Sequence, residues 1–304
     1  MHRKQNGSAL LTAIFIAAIA AVVATTLMVT NQLLIRADES IVNTDQRYLI
    51  LQGMEIAVKN EIKKEIGNPV AQLPTALTPV EIDGMTVRAK IDSEDGKFNL
   101  NDLENPKNQL YFVSLLKNTI PNMSTQEDVT IADAITNWIT NTKDNTYYAK
   151  QDPSYQSSRE LFTHISELPL IRGITPAIYE TMKPYITALP ANTGSSGLTT
   201  VDINAVSAPV LSAINPGLTL THAQNILNCR NHMGMITNLE AFTQECVVPE
   251  GISSLSNVNT TSTYFLSHIV GRKKLRSLRL TALFITVPQK NNTLNVNTMW
   301  QEFH

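Results

Sequence analysis

Two cysteines, six histidines and a scatter of acids are the side chains in this 304-residue sequence that could do chemistry. Cys229 and Cys246 stand 17 residues apart, without the CxxC pairing of a zinc site or a redox dithiol. One disulfide closing a short loop is the natural expectation for a chain outside the cytoplasm, and two unpaired thiols in a reducing compartment is the alternative. The histidines, among them His164, His222, His232 and His268, are far apart and lack HExxH or related spacing. Catalysis needs a nucleophile and base brought together, or two carboxylates set apart by environment, and no such constellation is legible. The sequence therefore reads as a non-enzyme. Asp92, Glu94 and Asp95, ahead of Gly96, form the tightest acidic run and are expected to be a solvated turn. Lys and Arg total 24 against 26 acids, so no basic field offers itself to nucleic acid phosphates.

The elements that would carry these residues begin with an apolar one. No charge occurs from Gln5 to Ile35, and the 22 residues from Ala9 to Thr30 are rich in Ala, Leu, Ile and Val, enough to cross a bilayer core. A cleavable secretory signal has an apolar region of only about 7–15 residues, so this stretch is expected to stay attached. Arg3 and Lys4 precede it, which places the short N-terminus in the cytoplasm and everything after about residue 31 in the periplasm. Ile41, Leu49, Met54, Ile56, Val58 and Ile62 continue the apolar spacing without a proline until Pro69, so one long rod is predicted.

Met1 to Leu11 read MHRKQNG followed by SALL: a short basic leader, a glycine, then the apolar helix. This resembles the type III, or prepilin-type, signal. The resemblance implies that a membrane aspartyl peptidase, the prepilin peptidase, cuts after Gly7 and that Ser8 becomes the N-methylated first residue. Most pilins and pseudopilins carry Glu at the fifth mature position, which here is Thr12. A carboxylate buried there needs a cationic partner, which in that family is the terminal amine of the neighbouring subunit. Omission of the acid is similar to the minor pseudopilin K branch of type II secretion.

Further along the chain, three prolines and a glycine from Gly67 to Pro79 end the rod. Glu81 to Ile91 alternates about Asp-Gly and predicts a β-hairpin. GKFNLND at Gly96 to Asp102 resembles the segment leading from the first strands of the K pseudopilins into a large helical insertion. Residues from about 103 to 255 are helical by pattern, and Asp133 to Asn141, Tyr147–Tyr148 and Ser166 to Pro190 resemble that family's first SAM-like helical domain. A Gly/Ser linker at Ala191 to Leu198 precedes a second helical unit. That unit resembles a helix-hairpin-helix, with Pro216-Gly217 as the hairpin. Nucleic-acid versions use a Gly-x-Gly turn backed by Lys or Arg. Here Thr219 stands at the second glycine, no Lys follows, and Val201 to Glu250 carries one Arg against four acids, which reads as a scaffold with no nucleic acid partner. Thr263 to Arg272 and Leu275 to Val287 alternate about a basic turn, and Leu294 to Trp300 supplies a last strand.

The expected fold class is α+β: a long N-terminal transmembrane helix with a pilin-type antiparallel sheet, interrupted by an all-α insertion of two SAM-like or helix-hairpin-helix-like units. The boundaries read as a leader over 1–7, a helix over 8–68 spanning about 9–30, the first part of the head over 69–102, helical domains over 103–190 and 191–256, and closing strands over 257–304. The resemblance implies a minor pseudopilin that caps or initiates the pseudopilus tip. Its partners would be the minor pseudopilins I and J, other pseudopilus subunits, the prepilin peptidase, the inner membrane and, from the tip, secreted substrates. A minor pilin of a type IV pilus and a membrane-anchored DNA-uptake receptor are the rival readings. No cofactor is required. Calcium is the one open question, because pseudopilin insertions of this kind carry an acidic loop; here Asn137 and Thr140 stand where acids would, leaving Asp144 and Asp152 as a weak ligand set.

Overall fold

The proline-free N-terminal run forms a single helix, α1 (Asn6–Ile66), of 61 residues, about 90 Å long at the α-helical rise. A computed structural model describes residues 6–66, 76–140, 146–192, 197–274, 276–289 and 294–304. The leader residues 1–5, most of the proline-rich connector and Asp144 lie outside them. Leu10–Arg36 is long and apolar enough to cross a membrane. Beyond it α1 becomes a core element. Leu51, Met54, Val58 and Ile62, spaced three to four residues apart, are buried against a sheet. Leu49 and Ile56, predicted to belong to the same stripe, point away and are 65% and 60% exposed. The helix carries two apolar lines, and only one meets the sheet.

The hairpin β1 (Val80–Ile82) and β2 (Met85–Ser93) turns at Asp83-Gly84, both with positive φ, the conformation that an Asp-Gly pair accommodates at low cost. After β2 the chain leaves the sheet for the insertion. In its first unit β3 (Phe98–Asn99) pairs in parallel with β4 (Ile186–Thr187). Between them run α2 (Gln109–Thr119), α3 (Thr125–Thr140), α4 (Thr146–Ala149), a 3-10 segment at Ile165–Leu170 and α5 (Pro176–Met182). The second unit repeats the plan. The strands β5 (Val201–Asp202) and β6 (Val258–Asn259) pair in parallel around α6 (Ala208–Ile214), α7 (Leu220–Met233) and α8 (Leu239–Phe242). These ladders, two residues a strand, are too short to show a period of two in the sequence. Local signals set the helix starts: Ser124 and Glu127 bond reciprocally before α3, Thr175 caps α5 ahead of Pro176, and Asn238 caps α8.

The chain returns through β7 (Tyr264–Lys273), β8 (Arg276–Pro288) and β9 (Leu294–Phe303). These complete one antiparallel sheet in the order β1-β2-β7-β8-β9. Its alternating residues Val87, Ala89, Ile91, Phe265, Ile269, Leu280, Ala282 and Phe284 form one core with α1. The insertion has a core of its own, built on Phe98, Phe112, Trp138, Leu211 and Phe242. The fold is thus a mixed helix and sheet architecture with an N-terminal apolar helix and an antiparallel sheet.

Contacts orient the sheet on the helix. Tyr48 meets Phe303 edge-on at 4.7 Å, Glu55 accepts from the Thr298 hydroxyl at 2.8 Å, and the Lys59 ammonium lies 5.6 Å from the centre of the Phe284 ring. In the register Phe303 is level with Leu280, and Thr298 with Phe284. Climbing α1 away from the span therefore means climbing β8 from its start toward its end. The β7–β8 turn faces the span, and the insertion leaves from the far end, where Ser93 pairs with Phe265.

Candidate assembly surfaces and the seam of the insertion

Gly7 and Ser8 lie in the first helical turns of α1, so the expected cleavage point is continuous with the rod. Thr12 is on the exposed surface of the same helix, one turn above it. Further up, Val42, Leu49 and Ile56 are exposed at intervals of seven residues, a spacing that keeps them nearly in line along a helix. Met28 and Ile35 continue that line into the span. The sequence contained this stripe, but its residues could not be separated from the core-facing ones until the sheet's position was known.

The insertion joins the head through a polar seam. Glu94 and Asp95, expected to be solvated, are only 4% and 5% exposed, which corrects the reading of this run as an open turn. The reason is long-range: the returning chain at Thr263–Tyr264 folds over them. The Asp95 carboxylate accepts from the backbone N–H groups of Thr263 at 3.0 Å and Tyr264 at 2.6 Å, and its carbonyl accepts from the Asp202 N–H at 2.9 Å. Burial pushes the Asp95 carboxyl up to about 7; the two N–H donors pull against that, while Asp202 and Glu94 add to it. Asp202 in turn accepts from the Ser262 hydroxyl at 2.6 Å and the Asn204 N–H at 2.9 Å. Gly96 completes the approach, since a Cβ there would lie 2.5 Å from the carbonyl oxygen of Ala205. Asp92 stays at the surface, bonded to Lys90 at 2.7 Å. A second contact between insertion and head is aromatic: His164 meets Trp300 of β9 edge-on at 5.2 Å.

The FNLND segment is a clasp. Phe98 enters the insertion core, while Asn99 accepts from the Leu189 N–H and Asn101 donates to the carbonyls of Phe162 and Leu189 at 2.9 and 2.7 Å. Asp102 accepts from the Thr199 N–H at 2.6 Å and hydroxyl at 2.8 Å. Burial raises the Asp102 carboxyl, opposed by these donors. Five consecutive residues therefore tie the start of the first helical unit to its end and to the entry of the second. In a buried site each of these partners matters, because an unsatisfied polar group costs about 1–3 kcal/mol.

In the second unit, Cys229 of α7 is joined to Cys246 as a disulfide with 5.6 Å between their Cα atoms. The neighbouring Arg230 donates to the carbonyls of Ile203 and Val206 at 2.8 and 3.0 Å, locking α7 onto the seam. At the hairpin, the Thr219 hydroxyl accepts from the His222 N–H, so part of the helix N-terminus is occupied by its own cap. Asp152 lies exposed in the loop after α4, apart from the seam acids. Among the described residues no group of three or more His, Cys, Asp and Glu is placed to hold a metal ion. The arrangement ties buried side chains to backbone groups of distant segments.

Comparison with known proteins agrees with this architecture. Two family models of protein K of the type II secretion system match, one over residues 96–191 and one over 201–257, together half of the chain. The type II secretion system protein K of Pseudomonas aeruginosa is 26% identical over 261 residues, covering 77% of this chain and 75% of that one. The protein of the same name from Aeromonas hydrophila is 22% identical and covers 93% of both. Among solved structures, a chain of the GspK-GspI-GspJ complex from enterotoxigenic Escherichia coli superposes with a TM-score of 0.67 at 14% identity, over 86% of this chain and 99% of that one. A long apolar helix, a split antiparallel head and two helical units that each match a protein K model place the sequence in one group: the chain belongs to the protein K family of the type II secretion system.

Proposed function

We propose that this chain is the minor pseudopilin that leads the pseudopilus of a type II secretion system, anchored in the inner membrane by α1 with its head in the periplasm. Its proposed partners are the minor pseudopilins I and J, in line with the complex in which its structural neighbour was solved. The observation that carries the reading is the pairing of Thr12 with the placement of the insertion. A subunit whose fifth mature residue is an acid can neutralise the terminal amine of a neighbour, and Thr12 supplies no such charge. The insertion leaves from the end of the sheet farthest from the span, where it obstructs stacking of a further subunit. Both features favour a subunit that starts a fibre over one that extends it. Processing after Gly7, and methylation of Ser8, belong to the same reading. So does the absence of catalysis: the role is structural, and contact with secreted substrates is made from the tip.

The test is positional. With a small epitope at the C-terminus and pseudopili grown in cells, immunogold labelling is expected at fibre ends only, with pseudopilins I and J recovered alongside after mild crosslinking. Label spaced along the fibres would overturn the reading. Mass spectrometry of the purified chain would find a mature N-terminus at methylated Ser8.

A further inference from the structure

The β7–β8 turn is strongly basic. Arg272, Lys274 and Arg276 are exposed, and Arg88 and Arg279 flank them, also exposed, on neighbouring strands. Lys273 pairs with Asp83 of the adjacent turn at 3.0 Å. Among the described residues, no ion pair involves Arg272, Lys274 or Arg276. Lys274 takes a positive φ at the turn. Glu81 of β1 is level with Arg272 across β2, and Asp83 lies in the adjacent turn. The tip of the turn itself is cationic. Such a cluster of like charges favours an anionic partner.

Its placement identifies the partner. A Cβ at Gly271 would sit 3.3 Å from a methyl of Leu51, so the end of β7 lies level with Leu51. From Leu51 down to Arg36, where the apolar span ends, α1 descends about 22 Å. The turn projects beyond Gly271 toward the span by about 7–10 Å, and its side chains reach about 6 Å further. What remains is comparable to the Debye length at physiological salt, about 8 Å, and to the depth of the headgroup layer. These cations lie more than 230 residues beyond the span in sequence, so they do not enter the charge bias that orients the helix on insertion.

We propose that the β7–β8 turn docks on anionic phospholipid headgroups at the surface of the membrane that α1 crosses, fixing the angle between head and membrane before the subunit is drawn into a fibre. This rests on the reading of Leu10–Arg36 as a membrane span. Each basic side chain close to an anionic surface strengthens association about fivefold, so three or four exposed cations suffice to hold a head already tethered nearby. Extraction into the fibre then requires only that these contacts be broken one by one.

The test uses the full chain, its disulfide intact, in nanodiscs that contain a headgroup-attached nitroxide lipid. A fluorophore on Ser277→Cys reports the turn, and one on Thr30→Cys, read against a mid-bilayer nitroxide, reports the span. With about 30% phosphatidylglycerol, Ser277 quenching is expected to be at least twice that in pure phosphatidylcholine. It is expected to fall to the phosphatidylcholine level in 0.5 M salt, roughly, where the Debye length shrinks to a few ångströms, and in K274E/R276E, whose unfolding midpoint stays unchanged. Quenching that is equal in the two lipids, absent from both, or retained by K274E/R276E would overturn the proposal while Thr30 remains quenched. Loss of quenching at Thr30 would overturn it together with the membrane-span reading. Phosphatidylglycerol-independent shielding that arises only when pseudopilins I and J are added would assign the turn to a protein interface and overturn it as well.

Discussion

Asp95 concentrates the physics of the seam in one carboxyl group. Burial raises it from an ordinary 3.8 to about 7, despite two backbone donors that favour the charged form. In the unfolded chain it ionises near 3.8, so the folded state holds a proton over an interval in which the unfolded state has lost it. A raised carboxylate contributes stability that is fully present below the unfolded value and is lost as pH rises through the folded one. Between about pH 4 and pH 7 the seam should therefore weaken, by at most about 4 kcal/mol. Asp95→Asn keeps an oxygen to accept from Thr263 and Tyr264 and removes the charge. Denaturation of the chain in detergent across pH 5 to 8 is expected to show wild-type stability falling relative to Asp95→Asn. Parallel curves would mean that Asp95 does not titrate in this range. None of this was legible in the sequence, where Asp92-Ser93-Glu94-Asp95-Gly96 has the composition of a solvated turn. What buries it is Tyr264, 169 residues away.

At the scale of the element, α1 shows where pattern reading succeeds and where it stops. The span and the length of the rod follow from composition and the absence of proline. The sheet was legible too, because strands that bury one face alternate, and Asp83-Gly84 fixes the hairpin register. The two apolar lines of α1 were not separable, since both satisfy a helical period and only the sheet's location chooses between them. They predict opposite mutational behaviour. Leu51→Ala opens a cavity against Met85 and Gly271 in a fully buried site and should cost about 2–5 kcal/mol by chemical denaturation. Leu49→Ser with Ile56→Ser alters only exposed positions and should change stability by less than about 1 kcal/mol. If the proposed assembly with pseudopilins I and J holds, the same pair should weaken recovery with them in a crosslinking assay, since the stripe is the side of the rod that the sheet leaves open. Equal destabilisation by both changes would mean that the two lines share one core.

The whole molecule is two cores joined by a polar seam. One lies between α1 and the sheet; the other holds both helical units, and among the described residues no buried one is shared between them. The chain leaves the sheet at Ser93 and returns at Phe265, which are cross-strand partners, so a two-residue turn could close β2 to β7 directly. This makes the proposed tip role separable into parts. Replacing residues 94–264 by Asn-Gly should leave a head that unfolds cooperatively, because its core loses no member and its ladder loses only the end. If the obstructing insertion and the missing charge each suffice to keep the subunit at the tip, neither this excision nor Thr12→Glu alone should move it from the fibre end. The combination should, with epitope label then found along the shaft. Shaft incorporation by Thr12→Glu alone would show that charge decides position and that the insertion does not obstruct stacking. Shaft incorporation by the excision alone would show the reverse. A double variant that stays at the end would show that neither the charge nor the insertion sets position.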